Sequence, residues 1–109
     1  MKKRSKTPPA THALQKLRGS IPPLITPFIA DAVDYDAYAR LVSFQIEQGS
    51  HGILVNGTTA EPSTLTLEER NRLVSLAVET AAGRVPVVAA TGSQSLRESR
   101  VLTEHAIEA

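Results

Sequence analysis

Cysteine and tryptophan are absent, and the aromatic residues amount to two Tyr and two Phe in 109 residues. Without cysteine the chain has no disulfide, no thiolate nucleophile and no thiolate-held metal. Six Gly and seven Pro are too few for a collagen-like or low-complexity chain. No apolar run approaches the ~18 residues of a membrane-spanning helix. His12, His51 and His105 are scattered without ligand spacing, so no metal site is expected. Lysine is missing from position 17 onward: the four are Lys2, Lys3, Lys6 and Lys16.

What is present is unevenly charged. Residues 1–18 carry six Lys or Arg and no acid, and residues 19–109 carry the other six, all Arg, against all eleven acids. The net charge of +1 is thus a basic arm joined to a body of −5. The arm contains Pro8-Pro9 and lacks the apolar run of a secretory signal. It is expected to be a disordered, solvated segment, and the chain to be cytoplasmic. With six cations and no interleaved aromatics the arm is a poor nucleic-acid module, and no nucleic-acid or membrane partner is expected.

From Gly19 the sequence alternates between short apolar runs and amphipathic stretches. Ile21–Ile25 reads as a buried strand, with Pro22-Pro23 restricted to its start or an edge. Asp34 is placed to cap a helix reaching about Gln48, with Tyr38, Leu41, Val42 and Ile46 on one face and Gly49 just past its end. Gly52–Val55 is the second strand and Val85–Ala90 the third. Thr66 with Glu69, and Ser95 with Glu98, have the spacing of capping boxes. The first opens a helix with Leu73, Val74, Ala77, Val78 and Ala81 on its apolar face, ended by Gly83. The second opens one with Val101, Leu102, His105 and Ala106. The order β-α-β-α-β-α, with wholly apolar strands, predicts an α/β fold of parallel units.

Right-handed crossovers bring every strand-to-helix loop to one edge of such a sheet. In parallel α/β folds chemistry collects there. The loops are Thr26-Pro27-Phe28, Asn56-Gly57-Thr58-Thr59-Ala60-Glu61 and Thr91-Gly92-Ser93. Gly57 permits a tight turn, and the amides after it could converge on a carboxylate or phosphate. The Thr58 and Thr59 hydroxyls add donors, and a hydroxyl can relay a proton. Thr and Gly are also ordinary turn residues. Glu61 could act as a base or hold the loop in shape by hydrogen-bonding its backbone, and the second role is preferred.

Read together, Gly19-Ser20-Ile21, Thr26-Pro27-Phe28, Gly57-Thr58-Thr59-Ala60-Glu61, Thr64 to Glu69, Gly83 to Val87 and Thr91-Gly92 resemble, in order and spacing, the N-terminal part of the dihydrodipicolinate synthase / N-acetylneuraminate lyase family. The resemblance spans residues 19–109. It implies the first three β/α units of a TIM (β/α)8 barrel, incomplete, belonging to pyruvate-dependent class I aldolases. In that family a Lys forms a Schiff base with the keto carbon and a Tyr assists proton transfer. The resemblance makes Thr58 the catalytic relay hydroxyl and gives Thr59 and Gly57 to the carboxylate of pyruvate or another 2-keto acid. An aldehyde would be the second substrate, no cofactor is implied, and full-length relatives are expected to be homotetramers. Ala60 departs from the family's usual Gly, which costs about 1 kcal/mol only where φ is positive. The Gly57 to Pro62 stretch is also similar to the family's catabolic aldolases, including one acting on 2,4-dihydroxyhept-2-ene-1,7-dioate.

The family's Lys and Tyr fall on strands beyond residue 109. Tyr38 is read as core packing and Tyr35 as a contact at the helix start. A barrel takes roughly 250 residues, so this stretch alone is expected to be inactive and poorly stable, with one sheet face and two edges uncovered. The alternative is a non-catalytic remnant that binds carboxylates or self-associates. A small flavodoxin-like protein would need acidic strand ends and helices on both faces, and neither pattern is evident.

Overall fold

The computed structural model describes residues 17–109. The basic arm therefore lies, but for Leu17 and Arg18, outside the described residues. The elements in order are β1 (Phe28–Ile29), β2 (Ala32–Val33), α1 (Tyr35–Glu47), β3 (Ile53–Val55), α2 (Leu67–Ala81), β4 (Val87–Ala89) and α3 (Leu96–Glu108). Two one-turn 3-10 helices, Thr58–Ala60 and Pro62–Thr64, connect β3 to α2.

Local chemistry sets the helix ends. Asp34 accepts from the Ala37 amide at 3.0 Å and starts α1. Beyond its C-cap, Gly49 adopts φ +98 and donates to Ile46, while Ser50 donates to Gln45. This is the Schellman pattern, which satisfies carbonyls the helix leaves open. Thr66 and Glu69 form the full reciprocal capping box of α2. Ser95 caps α3 through the Glu98 amide, but the return bond is missing. The Glu98 carboxylate is instead taken by the Ser93 hydroxyl at 2.6 Å, so this expected box is only half formed. α2 ends on Ala82 at φ +50, one residue before the expected Gly83 at +76.

β3 and β4 pair in parallel, with Ile53 opposite Val87 and Val55 opposite Ala89. The expected first strand is reduced to a single parallel bridge, Pro23 to Leu54. The reason is the missing amide donors of Pro22 and Pro23. What remains is Leu24 N–H to the Leu54 carbonyl and Leu54 N–H to the Pro22 carbonyl, both at 3.0 Å. The spatial order is still segment 22–24, β3, β4, all running the same way. The third strand is shorter than Val85–Ala90.

Strands β1 and β2 form a hairpin that the sequence pattern does not announce: they pair antiparallel, Phe28 with Val33 and Ile29 with Ala32. Its turn, Ala30-Asp31, has both residues at positive φ without the Asn-Gly or Asp-Gly pair that marks such turns in sequence.

Helices α1 and α2 pack together over one sheet face, and α3 packs on α2. The core between them contains Leu24, Tyr38, Val42, Ile53, Val55, Leu73, Val74 and Ala77. Tyr38 is buried as expected, while Tyr35 lies against the core with the Arg72 guanidinium 3.8 Å from its ring centre. Side chains alternate across a strand, and Pro23, Ile25, Leu54 and Val88 fall on the sheet face opposite to the helices. Ile25 is 56% exposed there. Among the described residues no helix is long and apolar enough to cross a membrane.

An uncovered apolar face of this kind drives association. Expressed alone, residues 1–109 are expected to elute well ahead of a monomer in size-exclusion chromatography with light scattering. A monomer that melts cooperatively above about 45 °C, in the range of ordinary stable domains, would contradict this.

Candidate functional site

The parallel register brings three loops to the carboxyl edge: Thr26-Pro27 after the bridge segment, residues 56–61 after β3, and Thr91 to Ser93 after β4. The expected edge is therefore formed, and Gly57, Thr58 and Thr59 lie on it together.

The turn after β3 differs in detail from its expected form. Gly57 is extended, with φ −71 and ψ −179. The left-handed residue is Asn56, at φ +62, so the tight bend belongs to Asn56. Gly57 answers to space instead, since a Cβ there would meet Leu54 Cδ2 at 3.1 Å. Thr58 to Ala60 then form one 3-10 turn, closed by Ala60 N–H to Gly57 and Glu61 N–H to Thr58 at 2.9 and 3.1 Å. The amides of Gly57, Thr58 and Thr59 make no backbone hydrogen bond among the described residues. Thr58 and Thr59 are exposed. Three consecutive amides without a backbone partner and two exposed threonines thus sit at the end of a buried strand, an arrangement suited to an anion.

Ala60 is buried and its φ is not positive, so the departure from Gly carries no backbone strain. The strained residue is Glu61, at φ +57. Its main-chain carbonyl accepts from both the Thr64 amide (3.0 Å) and the Thr64 hydroxyl (2.7 Å). Its carboxylate is bound to no partner among the described residues. Glu61 therefore shapes the loop through its backbone, not through the side-chain bonds expected of it.

Sequence reasoning missed Arg70. It lies three and four residues before Leu73 and Val74, on the face that α2 buries, and is 4% exposed. Its guanidinium donates to the carbonyls of Gly92 (2.9 Å) and Ala90 (3.0 Å), and its own carbonyl accepts from Asn56 Nδ2 (2.9 Å). Burial lowers its pKa, partly offset by the charge of Glu98. A guanidinium nevertheless remains charged in proteins. A charged residue inside an otherwise apolar helical stripe was the available signal.

Arg70 borders a cavity of about 290 Å³ with Pro62, Ser63, Gly92, Ser93, Gln94 and Glu98. Thr26 is buried behind the same edge, and its hydroxyl has no partner among the described residues. Tyr38 lies in the core, and desolvation there raises its hydroxyl pKa well above the usual value.

Known proteins resemble this chain in sequence and in fold. The chain is 51% identical over 92 residues to 4-hydroxy-tetrahydrodipicolinate synthase of Thermus thermophilus, which covers 84% of this chain and 31% of that protein. A dihydrodipicolinate synthase from Acinetobacter baumannii, solved with pyruvate, superposes with a TM-score of 0.78 at 40% identity, over 83% of this chain and 31% of the other. N-acetylneuraminate lyase from Mycoplasma synoviae superposes with a TM-score of 0.83 at 31% identity, over 87% and 33%. The chain thus spans about a third of the length of these relatives. The synthase name at 51% identity lends nothing to the expected likeness to the catabolic aldolases. The family model for the dihydrodipicolinate synthetase family matches residues 16–109. With that match running over most of its length, the chain belongs to the dihydrodipicolinate synthetase family.

Proposed function

We propose that this chain is the N-terminal part of a pyruvate-dependent class I aldolase or lyase of the 4-hydroxy-tetrahydrodipicolinate synthase type, and that it supplies the first three β/α units of a TIM barrel. The carrying observation is the 57–61 turn, whose Gly57, Thr58 and Thr59 amides, without a backbone partner among the described residues, stand at the carboxyl edge of parallel strands in a chain of this family.

In this reading the Thr59 amide and hydroxyl, with Gly57, hold the carboxylate of pyruvate. The Thr58 hydroxyl relays a proton together with a Tyr from a later strand. A Lys from a later strand condenses with the keto carbon and releases water. The imine draws electrons from the methyl group, which loses a proton and attacks the aldehyde. None of the four Lys of this chain fills that role, because all lie in the arm at or before position 16. The assembled enzyme is a soluble, cytoplasmic homotetramer. The sheet face of Pro23, Ile25, Leu54 and Val88 becomes the barrel interior when further strands close it.

Native-length protein from the source cells, treated with pyruvate and borohydride, tests this. The expected result is a protein near the roughly 250 residues of a barrel, carrying one reduced pyruvate adduct on a Lys outside residues 1–16. A native protein of barrel length that takes up no adduct would overturn the aldolase reading. A native protein of 109 residues would leave the carboxylate-binding remnant in its place.

A further inference from the structure

Three hydrogen bonds and one peptide bond form a closed ring behind the Thr58 turn. The Val55 carbonyl at the end of β3 accepts from the Ala90 amide at 2.9 Å. The Ala90 carbonyl accepts from Arg70 Nη2 at 3.0 Å. The Arg70 carbonyl accepts from Asn56 Nδ2 at 2.9 Å. Asn56 is bonded in the chain to Val55, which closes the circuit. A second prong, Arg70 Nη1 to the Gly92 carbonyl at 2.9 Å, extends it to the loop after β4.

The ring fixes Asn56 in particular. Asn56 is 3% exposed, holds the left-handed φ of the bend, and immediately precedes Gly57-Thr58-Thr59. Its side-chain amide donates to Arg70 alone among the described residues, and its Oδ1 has no partner there. The direction in which the Thr58 and Thr59 amides face depends on this one bend. Two backbone carbonyls 20 and 22 residues from Arg70 are gripped by a planar fork that only arginine offers. A buried residue whose task were only to fill space would be served by an aliphatic chain, without the cost of desolvating a cation.

We infer that Arg70 is a positioning residue, which locks the Asn56 bend to the ends of β3 and β4 and so sets the donors of Gly57, Thr58 and Thr59 for the carboxylate. This rests on the proposed function, and deepens it by naming what preorganises the turn. Arg70 itself touches no reacting atom; it acts through Asn56 and the two strand ends.

The test uses native-length protein with Arg70→Met and Arg70→Lys. Hydrogen exchange is read at the amides of residues 56–61 and 90–92, with the amides of Tyr38–Glu47 in α1 as reference. Arg70→Met is expected to speed exchange at both loops about tenfold or more and to leave α1 unchanged. Arg70→Lys keeps the charge but cannot make the two-pronged grip, so it is expected to restore the melting temperature more fully than the loop protection. In steady-state kinetics with pyruvate, both variants are expected to raise KM about tenfold, measured well below their melting temperatures. Unchanged exchange at 56–61 in either folded variant overturns the proposal. So does an Arg70→Lys protein whose KM and loop protection both match the parent. If the parent takes up no pyruvate, the exchange readout still decides the ring, and the aldolase reading fails separately.

Discussion

Thr58→Val, in native-length protein, is expected to lower kcat with pyruvate about 10²- to 10³-fold while KM changes less than about threefold, as general acid–base contributions usually run 10²–10⁴. Valine keeps the shape of threonine and removes only the hydroxyl. The residue is exposed, so no buried partner is orphaned. The turn around it is closed by main-chain bonds from Ala60 and Glu61, which valine leaves in place. On the proposed reading the Thr58 and Thr59 amides therefore remain available to the carboxylate, and binding is expected to persist while proton transfer fails. Thr59→Val should behave in the opposite sense. A hydrogen bond to a charged group is worth about 1.5–3 kcal/mol, so its loss raises KM roughly 10- to 100-fold with a smaller effect on kcat. Steady-state kinetics of the two variants side by side reads both. A Thr58→Val enzyme with the parent's kcat would remove the relay from Thr58.

Where the sequence was readable, the governing chemistry is local. Asp34, Thr66 with Glu69, and Ser95 announce helix starts because a cap is a bond between residues two or three apart. The edge that carries the candidate site was readable for a topological reason: apolar strands alternating with capped helices admit one parallel arrangement. The Arg70 ring was not readable, because its partners are carbonyls, which every residue type carries, at sequence separations of 20 and 22. The β1–β2 hairpin was hidden by Ala30-Asp31, which takes left-handed backbone against its own preference. The same applies to the bend after β3. Glycine was the natural candidate for the special conformation, yet Asn56 takes it, and the lack of a side chain at Gly57 clears Leu54 instead. Even the half-formed box at Ser95 follows this rule, since the competing hydroxyl of Ser93 lies outside the motif that predicts it.

Gly19→Ala is expected to destabilise the fold by about 2–3 kcal/mol, from left-handed strain of about 1–2 kcal/mol plus about 1 kcal/mol for one broken hydrogen bond. Gly19 has φ +67, and a Cβ there would lie 2.1 Å from Nδ1 of His51. The ring must swing away, and in doing so it gives up the Ser20 amide, which donates to that nitrogen at 3.0 Å. The same junction includes His51 N–H to the Ser20 carbonyl at 2.8 Å, which ties the entry of the chain to the start of β3. Gly49 provides the control. It has φ +98, and a Cβ there would meet nothing within 4 Å, so Gly49→Ala should show the backbone strain alone. A double-mutant cycle separates the two contributions. Because His51→Ala removes both the obstacle and the bond, Gly19→Ala in that background should cost only what Gly49→Ala costs, leaving a coupling of about 1 kcal/mol between the two sites. Urea unfolding of the four proteins measures it. Strict additivity of Gly19→Ala and His51→Ala would mean that backbone strain, not the imidazole, dictates glycine at the head of the first β/α unit.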